Sequence, residues 1–354
     1  MPRFSIHHIT KYTYEGPVRD SANQIVLFPI KDELQEVLNQ TLSITDDPPV
    51  DIYKDYYGNE VGSFTHAEPH TALIIDSRLE VMTKPRPALV DDNPAAQQWD
   101  YLQQLRWQVP GRTGGSLSEG QTLDFSGKRD TFSRDTFDGY FIDFLLQEKF
   151  ACLPAVLEDA QLQDMFSQTP LQATTQLTAY IYDHFKYIKG ITTVETTLDE
   201  VWNLKAGVCQ DFAHFLLVLL RQINIPARYV SGYICPNKNG MRGEGATHAW
   251  VEAFIPGNGW VGFDPTNNCV TDDLHVRLAV GRNFSDCSPV KGTYKGAAGQ
   301  TLEVGVSVSY EGGRTTDDTA TVLTPQPAAR NGKDAAEQNS YRRYMEMMQQ
   351  QQQQ

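Results

Sequence analysis

Three segments of the sequence each place a residue type used in nucleophilic catalysis at the boundary of a predicted helix or strand. These residues are Cys209 in Gly-Val-Cys-Gln-Asp-Phe-Ala-His, His248 in Thr-His-Ala-Trp and Asp264 in Phe-Asp-Pro-Thr. A thiol attacks a carbonyl carbon, an imidazole moves the proton, and a carboxylate orients the imidazole. The order cysteine, histidine, aspartate therefore predicts a catalytic triad of Cys209, His248 and Asp264.

Cys209 is predicted to lie in the first turn of the most apolar helix, which runs from Val208 to Ile223 after the break at Gly207. Unpaired N–H groups and the positive end of the helix dipole favour a thiolate there, and such cysteines have pKa values of roughly 3.5–7.5. Each residue also has a simpler explanation when taken alone. Cys209 could be a small buried hydrophobic residue, His248 a structural histidine, and Asp264 part of an Asp-Pro turn.

The hairpin that carries His248 and Asp264 provides a structural test of the triad. If Phe254 pairs with Trp260, with a five-residue loop over 255–259, His248 and Asp264 become diagonal neighbours about 7–8 Å apart on one face. In the alternative register, shifted by one residue, Asp264 points to the opposite face. We predict the first register.

Hydrophobic periodicity divides the chain into four regions. Residues 1–85 contain short alternating segments and predict an N-terminal antiparallel β-domain. Residues 86–150 are predicted to be a connector with one short helix and little core of its own. Residues 151–310 combine apolar helical stripes with strand-like runs and predict an α+β catalytic domain. Residues 311–354 end in six glutamines and predict a disordered Gln-rich tail.

The first strand of the predicted β-domain has the clearest alternation, over Phe4–Tyr14. His8 lies on the same face as the aromatic residues of this strand. We therefore expect His8 to be a hydrogen-bonded core histidine rather than a catalytic one.

Composition and charge argue against several classes of partner. The 354 residues carry a formal net charge of −14 and contain no block of lysine or arginine, so we expect binding to neither nucleic acid nor an anionic membrane. The N-terminus lacks the pattern of a signal peptide, and the longest strongly apolar stretch, Phe215–Leu220, is far shorter than the ~20 residues that span a bilayer. A cytoplasmic location is the expectation.

The sequence also contains residue types that bind metals. Cys209, His214, His248 and Asp264 are all of such types, but their spacing matches no zinc pattern. We therefore expect no metal and no cofactor, and interpret His214 as a polar or partly buried helix residue. The remaining cysteines form no CxxC pair and are expected to be inert: Cys152, Cys235, Cys269 and Cys287.

The three segments resemble the transglutaminase-like superfamily, in particular its bacterial members described as cysteine proteases. The resemblance covers residues 150–293 and includes Ile225-Pro-Ala-Arg-Tyr-Val-Ser-Gly-Tyr and, from Gly281, Gly-Arg-Asn-Phe-Ser-Asp. Residues 1–85 are similar to the N-terminal region of these bacterial proteins, through His8-Ile-Thr-Lys-Tyr-Thr-Tyr and Asp55-Tyr-Tyr-Gly-Asn.

The resemblance implies a papain-like α+β core preceded by an antiparallel β-domain. It implies that Cys209 attacks a carboxamide or peptide carbonyl, that His248 shuttles the proton and that Asp264 orients His248. Backbone N–H groups at the helix start would bind the oxyanion. A side-chain oxyanion donor is also implied, and the sequence leaves the choice open among Trp202, Tyr187 and Gln210.

Three functions are compatible with these residues. The favoured one is a cysteine peptidase or amidase acting on a peptide or protein. The second is a transglutaminase that joins glutamine carboxamides to primary amines, and the third is a non-catalytic peptide-binding module. The sequence contains no DxDxDG calcium loop, and it leaves the oligomeric state and the role of the β-domain open.

Overall fold

The computed structural model describes residues 1–107, 140–189, 191–192, 196–235, 241–242 and 247–310. Its strands are β1 (Arg3–Ile25), β2 (Gln35–Ile44), β3 (Asp51–Lys54), β4 (Glu60–His66), β5 (His70–Thr83), β6 (Lys186–Tyr187), β7 (Ala206–Gly207), β8 (Ala227–Ile234), β9 (Thr247–Ile255), β10 (Gly259–Asp264), β11 (Cys269–Val270), β12 (His275–Gly281), β13 (Val290–Lys295) and β14 (Gln300–Tyr310). Its α-helices are α1 (Ala95–Trp107), α2 (Tyr140–Asp143), α3 (Leu153–Asp159), α4 (Pro170–His184), α5 (Leu198–Leu204), α6 (Cys209–Gln222) and α7 (Phe284–Cys287), and a 3-10 helix covers Leu162–Ser167. Among the helices described here, none has the length and apolarity needed to cross a membrane.

The first sheet is built around the long strand β1. Alternate side chains of β1 from Phe4 to Tyr14 are buried, as the sequence pattern predicts. His8 is fully buried in this row, and its Nδ1 forms a 2.9 Å hydrogen bond with the hydroxyl of Tyr233. Burial, assisted by the charge of His7, lowers the pKa of His8 to about 4. His8 is therefore a neutral, hydrogen-bonded core histidine, which confirms the prediction.

Strands from the far end of the described chain complete this sheet. The N-terminal half of β1 pairs with β5 on one side and β14 on the other, so that Phe4 lies opposite Tyr310. Its C-terminal half pairs with β4 and β13. The sequence assigns β13 and β14 to the catalytic domain over 151–310, whereas the structure pairs both with the N-terminal strand. Local periodicity identifies a strand but contains no information about a partner so distant in sequence.

The second sheet is antiparallel and has the order β11-β10-β9-β8-β12. Helix α6 packs against β9 and β8, and α4 packs on α6. Every residue of β9 is buried, as is almost every residue of α6. These strands and helices give the α+β class predicted from the sequence, with the most apolar helix of the chain enclosed between a sheet and other helices.

The edge strand of the second sheet, β12, is covered by two amide side chains from the N-terminal region. Nε2 of Gln35 donates to the carbonyl of Arg277 at 2.7 Å, and its Oε1 accepts from the N–H of Arg277 at 2.8 Å. Asn59 makes the equivalent pair of bonds with Val280 at 2.8 and 2.9 Å. An edge strand otherwise exposes backbone groups that need partners. The two amides therefore close the sheet and join the N-terminal region to it.

Part of the predicted connector packs on the rest of the protein. The predicted helix near Ala96–Trp107 is confirmed by α1, which buries Trp99 and bonds its indole N–H to the carbonyl of Gln168 at 2.7 Å. Phe141 of α2 packs against the hairpin of β9 and β10. Residues 108–139 of the connector and the predicted disordered tail of residues 311–354 lie outside the described residues.

Candidate active site

Helix α6 begins at Cys209, as the apolar pattern after Gly207 predicts. The side chain of Cys209 is almost completely buried. Asp211, in the first turn, accepts hydrogen bonds from the backbone N–H of Val208 and from the hydroxyl of Thr192, both at 2.8 Å. An acid that bonds back to the residue before the helix fixes the helix start, and it thereby fixes the backbone of Cys209.

Gly207 is required by the space that Asp211 occupies. A Cβ at Gly207 would lie 2.7 Å from Oδ2 of Asp211. Burial raises the pKa of Asp211 to about 6, although the two hydrogen bonds to its carboxylate oppose this shift. The sequence indicates only a first-turn acid that is favoured by the helix dipole; the structure shows a buried carboxylate that links α6 to the preceding chain.

Strands β9 and β10 pair in the register that puts His248 and Asp264 on the same face. Phe254 lies opposite Trp260, as predicted. The connecting loop is shorter than predicted, because Gly259 also belongs to β10. A shift of one residue would place Asp264 on the face opposite His248. The two side chains can therefore contact each other only in the observed register.

The imidazole of His248 and the carboxylate of Asp264 form a buried pair. Nε2 of His248 lies 2.9 Å from Oδ2 of Asp264, and both side chains are completely buried. Burial alone lowers the pKa of His248, but the charge and hydrogen bond of Asp264, with a smaller contribution from Cys209, raise it to about 9. Burial favours protonation of Asp264, but the charge and hydrogen bond of His248 outweigh it and hold its pKa well below the usual range. At neutral pH an imidazolium therefore faces a carboxylate.

The second ring nitrogen of His248 is available to the thiol of Cys209. Nδ1 is buried in the interior of the protein. Hydrogen bonding and charge of Cys209 both contribute to the raised pKa of His248. Since Nε2 is occupied by Asp264, Nδ1 is the nitrogen that can exchange a proton with the sulfur. The three residues predicted from the sequence are therefore brought together at one place.

Asp264 is held by the turn that follows β10. Its Oδ1 accepts from the backbone N–H groups of Thr266 at 2.8 Å and Asn267 at 3.3 Å, and its Oδ2 accepts from Nδ2 of Asn267 at 2.7 Å. Sequence reasoning did not identify Asn267, although an Asp-Pro-Thr-Asn segment is typical of a turn in which the first carboxylate bonds the backbone ahead of it. These hydrogen bonds hold the carboxylate of Asp264 in place independently of its contact with His248.

An indole ring covers the imidazole. Trp250 is completely buried and stacks on His248 with ring centroids 6.2 Å apart and planes inclined by 29°. Gly232 on the neighbouring strand makes room for it, because a Cβ there would lie 2.5 Å from the indole. Trp260 packs instead with aromatic residues at the end of the hairpin. The sequence expects both tryptophans around the hairpin, and only Trp250 is in a position to exclude water from His248.

The structure separates the three candidates for a side-chain oxyanion donor. Trp202 stacks with Phe215, and Oε1 of Gln210 is buried without a hydrogen bond to the described residues. Tyr187 lies beside Gly207 through the parallel pairing of β6 and β7. Burial, followed by the charges of Cys209 and Asp264, raises the pKa of Tyr187 above its usual range. Gln210 and Tyr187 both lie near the start of α6, and Tyr187 is the one whose pKa responds to the charge of Cys209.

His214 takes no part in this site. Its Nε2 accepts from the backbone N–H of Phe284 at 3.3 Å, and burial, assisted by the charge of Arg221, lowers its pKa to about 4. The structure thus agrees with the interpretation of His214 as a partly buried helix residue, and its Nε2 is bonded to Phe284 rather than directed at the triad.

A different set of metal-binding residue types surrounds Asp264. Ligand atoms of Asp264, Cys269 and His275 all lie within 4.8 Å of one another. The sequence shows no partner pattern near His275, and it predicts an inert thiol at Cys269. The local sequence contains no signal for this cluster, because the turn between β10 and β12 brings the three together.

Profiles of two protein families match the chain. The transglutaminase-like superfamily matches residues 160–265, and the bacterial transglutaminase-like N-terminal region matches residues 4–82. An uncharacterized protein of Mycobacterium tuberculosis is 31% identical over 324 residues, which cover 88% of this chain and 94% of that protein. An identity of 31% over nearly the whole length shows that the two proteins belong to the same family.

Two further proteins, each named for an activity, are similar to this chain, one in fold and one in part of its sequence. A solved structure called a "Putative Cysteine Protease", from Cytophaga hutchinsonii, has a TM-score of 0.59 at 22% identity and covers 92% of this chain and 94% of its own. A protein-glutamine gamma-glutamyltransferase of Pseudomonas aeruginosa is 29% identical over 125 residues, or 33% of this chain and 19% of that protein. The first similarity shows that the two folds are the same.

Proposed function

Because the chain belongs to the transglutaminase-like superfamily, we propose that it is a thiol-dependent acyl-transfer enzyme with Cys209, His248 and Asp264 as its catalytic triad. The observation that carries the proposal is the fully buried 2.9 Å contact between Nε2 of His248 and Oδ2 of Asp264, beside the thiol of Cys209. Burying two charges costs several kcal/mol per ion. A module that only binds peptides gains nothing from a charged pair placed next to a thiol.

The first half of the proposed reaction forms a thioester. The thiolate of Cys209 attacks the carbonyl carbon of a carboxamide or peptide bond, and the electron pair of the C=O bond moves onto oxygen. When the C–N bond breaks, Nδ1–H of His248 protonates the leaving nitrogen, and the acyl group stays on sulfur. Asp264 keeps the imidazole in place and stabilises its positive charge.

The second half releases the acyl group. Neutral His248 removes a proton from water or from an amine, whose oxygen or nitrogen attacks the thioester carbon. The C–S bond breaks and regenerates Cys209 as thiolate, with His248 again protonated. The incoming nucleophile alone decides between hydrolysis and amide formation.

The start of α6 carries donors suited to an oxyanion. The backbone N–H of Cys209 lies in the first turn of the helix, and N–H groups at such positions stabilise a developing oxyanion. We propose the hydroxyl of Tyr187 as the side-chain donor. It lies beside Gly207, and its raised pKa keeps the proton on the phenol.

Hydrolysis of peptide or amide bonds in a peptide or protein is the reaction we propose first. The similarity to a structure named as a cysteine protease extends over 92% of this chain and supports this choice. Transfer of glutamine acyl groups to amines is the second candidate. The observation in its favour is the identity of 29% over 125 residues with an enzyme named protein-glutamine gamma-glutamyltransferase.

A fluorescent peptide library offered with and without a primary amine tests the proposal. New peptide termini that require Cys209 indicate a peptidase, and amine incorporation that requires Cys209 indicates a transferase. Cys209→Ala is the inactive variant, and Cys152→Ser, which changes a thiol at the start of α3, is the matched control that should keep full activity. A wild-type protein that behaves like Cys209→Ala would contradict the proposed function.

A further inference from the structure

A second cluster of reactive side chains combines Asp264 with residues of β11 and β12, the two edge strands of the second sheet. Asp264 pairs with Cys269 across the hairpin of β10 and β11, and β12 begins at His275. Ligand atoms of the three residues lie within 4.8 Å of one another. Asp264 and His275 are completely buried, and Cys269 is partly exposed. The proposed mechanism uses neither Cys269 nor His275.

His275 has the surroundings of a metal-binding histidine. Its Nδ1 lies 2.9 Å from Oδ1 of Asp272, to which it donates when protonated, and 3.2 Å from the backbone nitrogen of the same residue. Its Nε2 is buried, points towards Asp264 and has no hydrogen bond with the described residues. Histidines that bind metals almost always donate the other ring N–H to a carboxylate or carbonyl. Asp272 supplies such a carboxylate and leaves Nε2 of His275 as the ligand atom.

The distances suit a small tetrahedral ion. Nε2 of His275 lies 3.5 Å from Oδ2 of Asp264. Two ligands of a tetrahedral Zn²⁺, each about 2.1 Å from the ion, are about 3.4 Å apart. Cys269 lies in the short strand β11, where a small side-chain movement brings its sulfur to the third position. A water molecule would complete the four ligands.

We propose that Asp264, Cys269 and His275 bind one Zn²⁺ ion and that the bound ion inhibits the enzyme. On binding, the thiol of Cys269 and the Nε2–H of His275 lose their protons to solvent, so that a thiolate and a neutral imidazole coordinate the ion. Asp264 then gives its electron density to the metal instead of to His248, so the imidazole is less firmly oriented and less stabilised as a cation. The inhibition rests on the proposed function, whereas the binding rests on the cluster alone.

The ligand set favours Zn²⁺ over Ca²⁺ or Mg²⁺. Thiolate and imidazole ligands suit zinc, whereas the two hard ions prefer oxygen ligands and higher coordination. Cys209 and His248 offer a competing thiol and imidazole close by. The experiment must therefore separate an ion at Cys269 and His275 from an ion at the catalytic pair.

Calorimetric titration of the full-length protein with Zn²⁺ makes this separation. We expect one ion per chain, and no comparable binding of Ca²⁺. Cys269→Ser and His275→Gln should each weaken the affinity at least about tenfold. Cys209→Ala should keep it, as should Cys152→Ser, the matched control at another partly buried cysteine. Thermal melting checks that each variant is folded, and Cys269→Ser, at a partly exposed position, keeps the test usable if His275→Gln does not fold.

Substitution by Co²⁺ gives an independent signal. A thiolate-to-cobalt charge-transfer absorption should appear in the wild-type protein and in Cys209→Ala and be absent from Cys269→Ser. Absence of Zn²⁺ binding, binding that survives both Cys269→Ser and His275→Gln, or binding that is lost in Cys209→Ala would each overturn the site. An active enzyme that Zn²⁺ saturation leaves unaffected would overturn the inhibition, and a chain without activity would contradict the proposed function instead.

Discussion

The proton on His248 depends on a balance between burial and the charge of Asp264. The folded-state pKa of about 9 lies above the ordinary value of 6.5. This proton therefore contributes stability that is fully present below about pH 6.5 and is lost as the pH rises through about 9. Asp264 has the opposite sign, because its folded-state pKa lies below the ordinary 3.8. Its contribution is present above that value and is lost only in strong acid.

The alkaline side of the pH profile should report on His248. We expect kcat/KM to fall as the pH rises through about 9, because the imidazole then lacks the proton that the leaving nitrogen needs. Initial rates on a cleaved or transferred peptide across the neutral and alkaline range measure this. A profile that stays flat well beyond that pH would show that His248 is not the acid.

Replacing Asp264 by asparagine tests what orients the imidazole. Asp264→Asn keeps the shape of the side chain and removes its charge, so kcat should fall by roughly 10⁴-fold, as for an equivalent change in a serine protease triad. The remaining activity should have its alkaline limb at lower pH, since the charge that raises the pKa of His248 is gone. A loss of activity without this shift would assign Asp264 a structural role only.

At the scale of elements, the start of α6 depends on the contact between Gly207 and Asp211. The carboxylate of Asp211 occupies the space next to Gly207 and bonds the N–H of Val208. The position of Cys209 is therefore determined by a short stretch of chain in which one residue must have no side chain. Helix propensity alone would place the helix start with an uncertainty of a few residues.

Gly207→Ala should disturb this helix start. The new Cβ would push the carboxylate away from Val208, and overpacking of this kind costs about 1–3 kcal/mol. Chemical denaturation measures the loss, and activity should fall with it because Cys209 moves. Gly16→Ala is the matched control, since its Cβ would meet only Ala298 at 3.9 Å. Equal effects of the two substitutions would refute the explanation.

The sequence predicted the elements whose patterns are local. Alternation identified the first strand, and Gly207 and the apolar run identified the start of α6. The requirement that His248 and Asp264 share a face predicted the pairing of Phe254 with Trp260. The contact between Asp264 and His275 was missed, because it depends on how the chain returns from β10 to β12 at the far edge of the sheet. The partners of β13 and β14 were missed for the same reason. Periodicity describes which face of an element is buried, not what buries it.

At the scale of the whole molecule, two buried amides attach the N-terminal region to the sheet that contains the candidate site. Asn59 follows the turn Asp55-Tyr-Tyr-Gly, and Asp55 accepts from both its backbone N–H and its Nδ2 at 2.8 Å. The turn thus orients the amide that bonds Val280. The segment Asp55-Tyr-Tyr-Gly-Asn, which resembles the N-terminal region of the family, therefore has a structural role that does not involve the chemistry of Cys209.

Asn59→Ala should loosen this attachment without altering the chemistry. It leaves the N–H and carbonyl of Val280 without their buried partner, which costs about 1–3 kcal/mol. Urea denaturation measures this, whereas kcat should stay close to that of the wild type. Asn39→Ala, on an exposed position of β2, is the control and should change stability by no more than about 0.5 kcal/mol. A large loss of kcat at full stability would instead assign Asn59 to the site.

The pairing of β1 with β14 has a consequence for biosynthesis. Phe4 leaves the ribosome about 300 residues before Tyr310, its partner across the sheet. At a translation rate of about 5–20 residues per second, the edge of β1 waits roughly 15–60 s for the strand that covers it. During that time the nascent protein presents an uncovered strand edge to other chains. Premature termination before β13 would make this exposure permanent, so truncated products should require chaperones or be degraded.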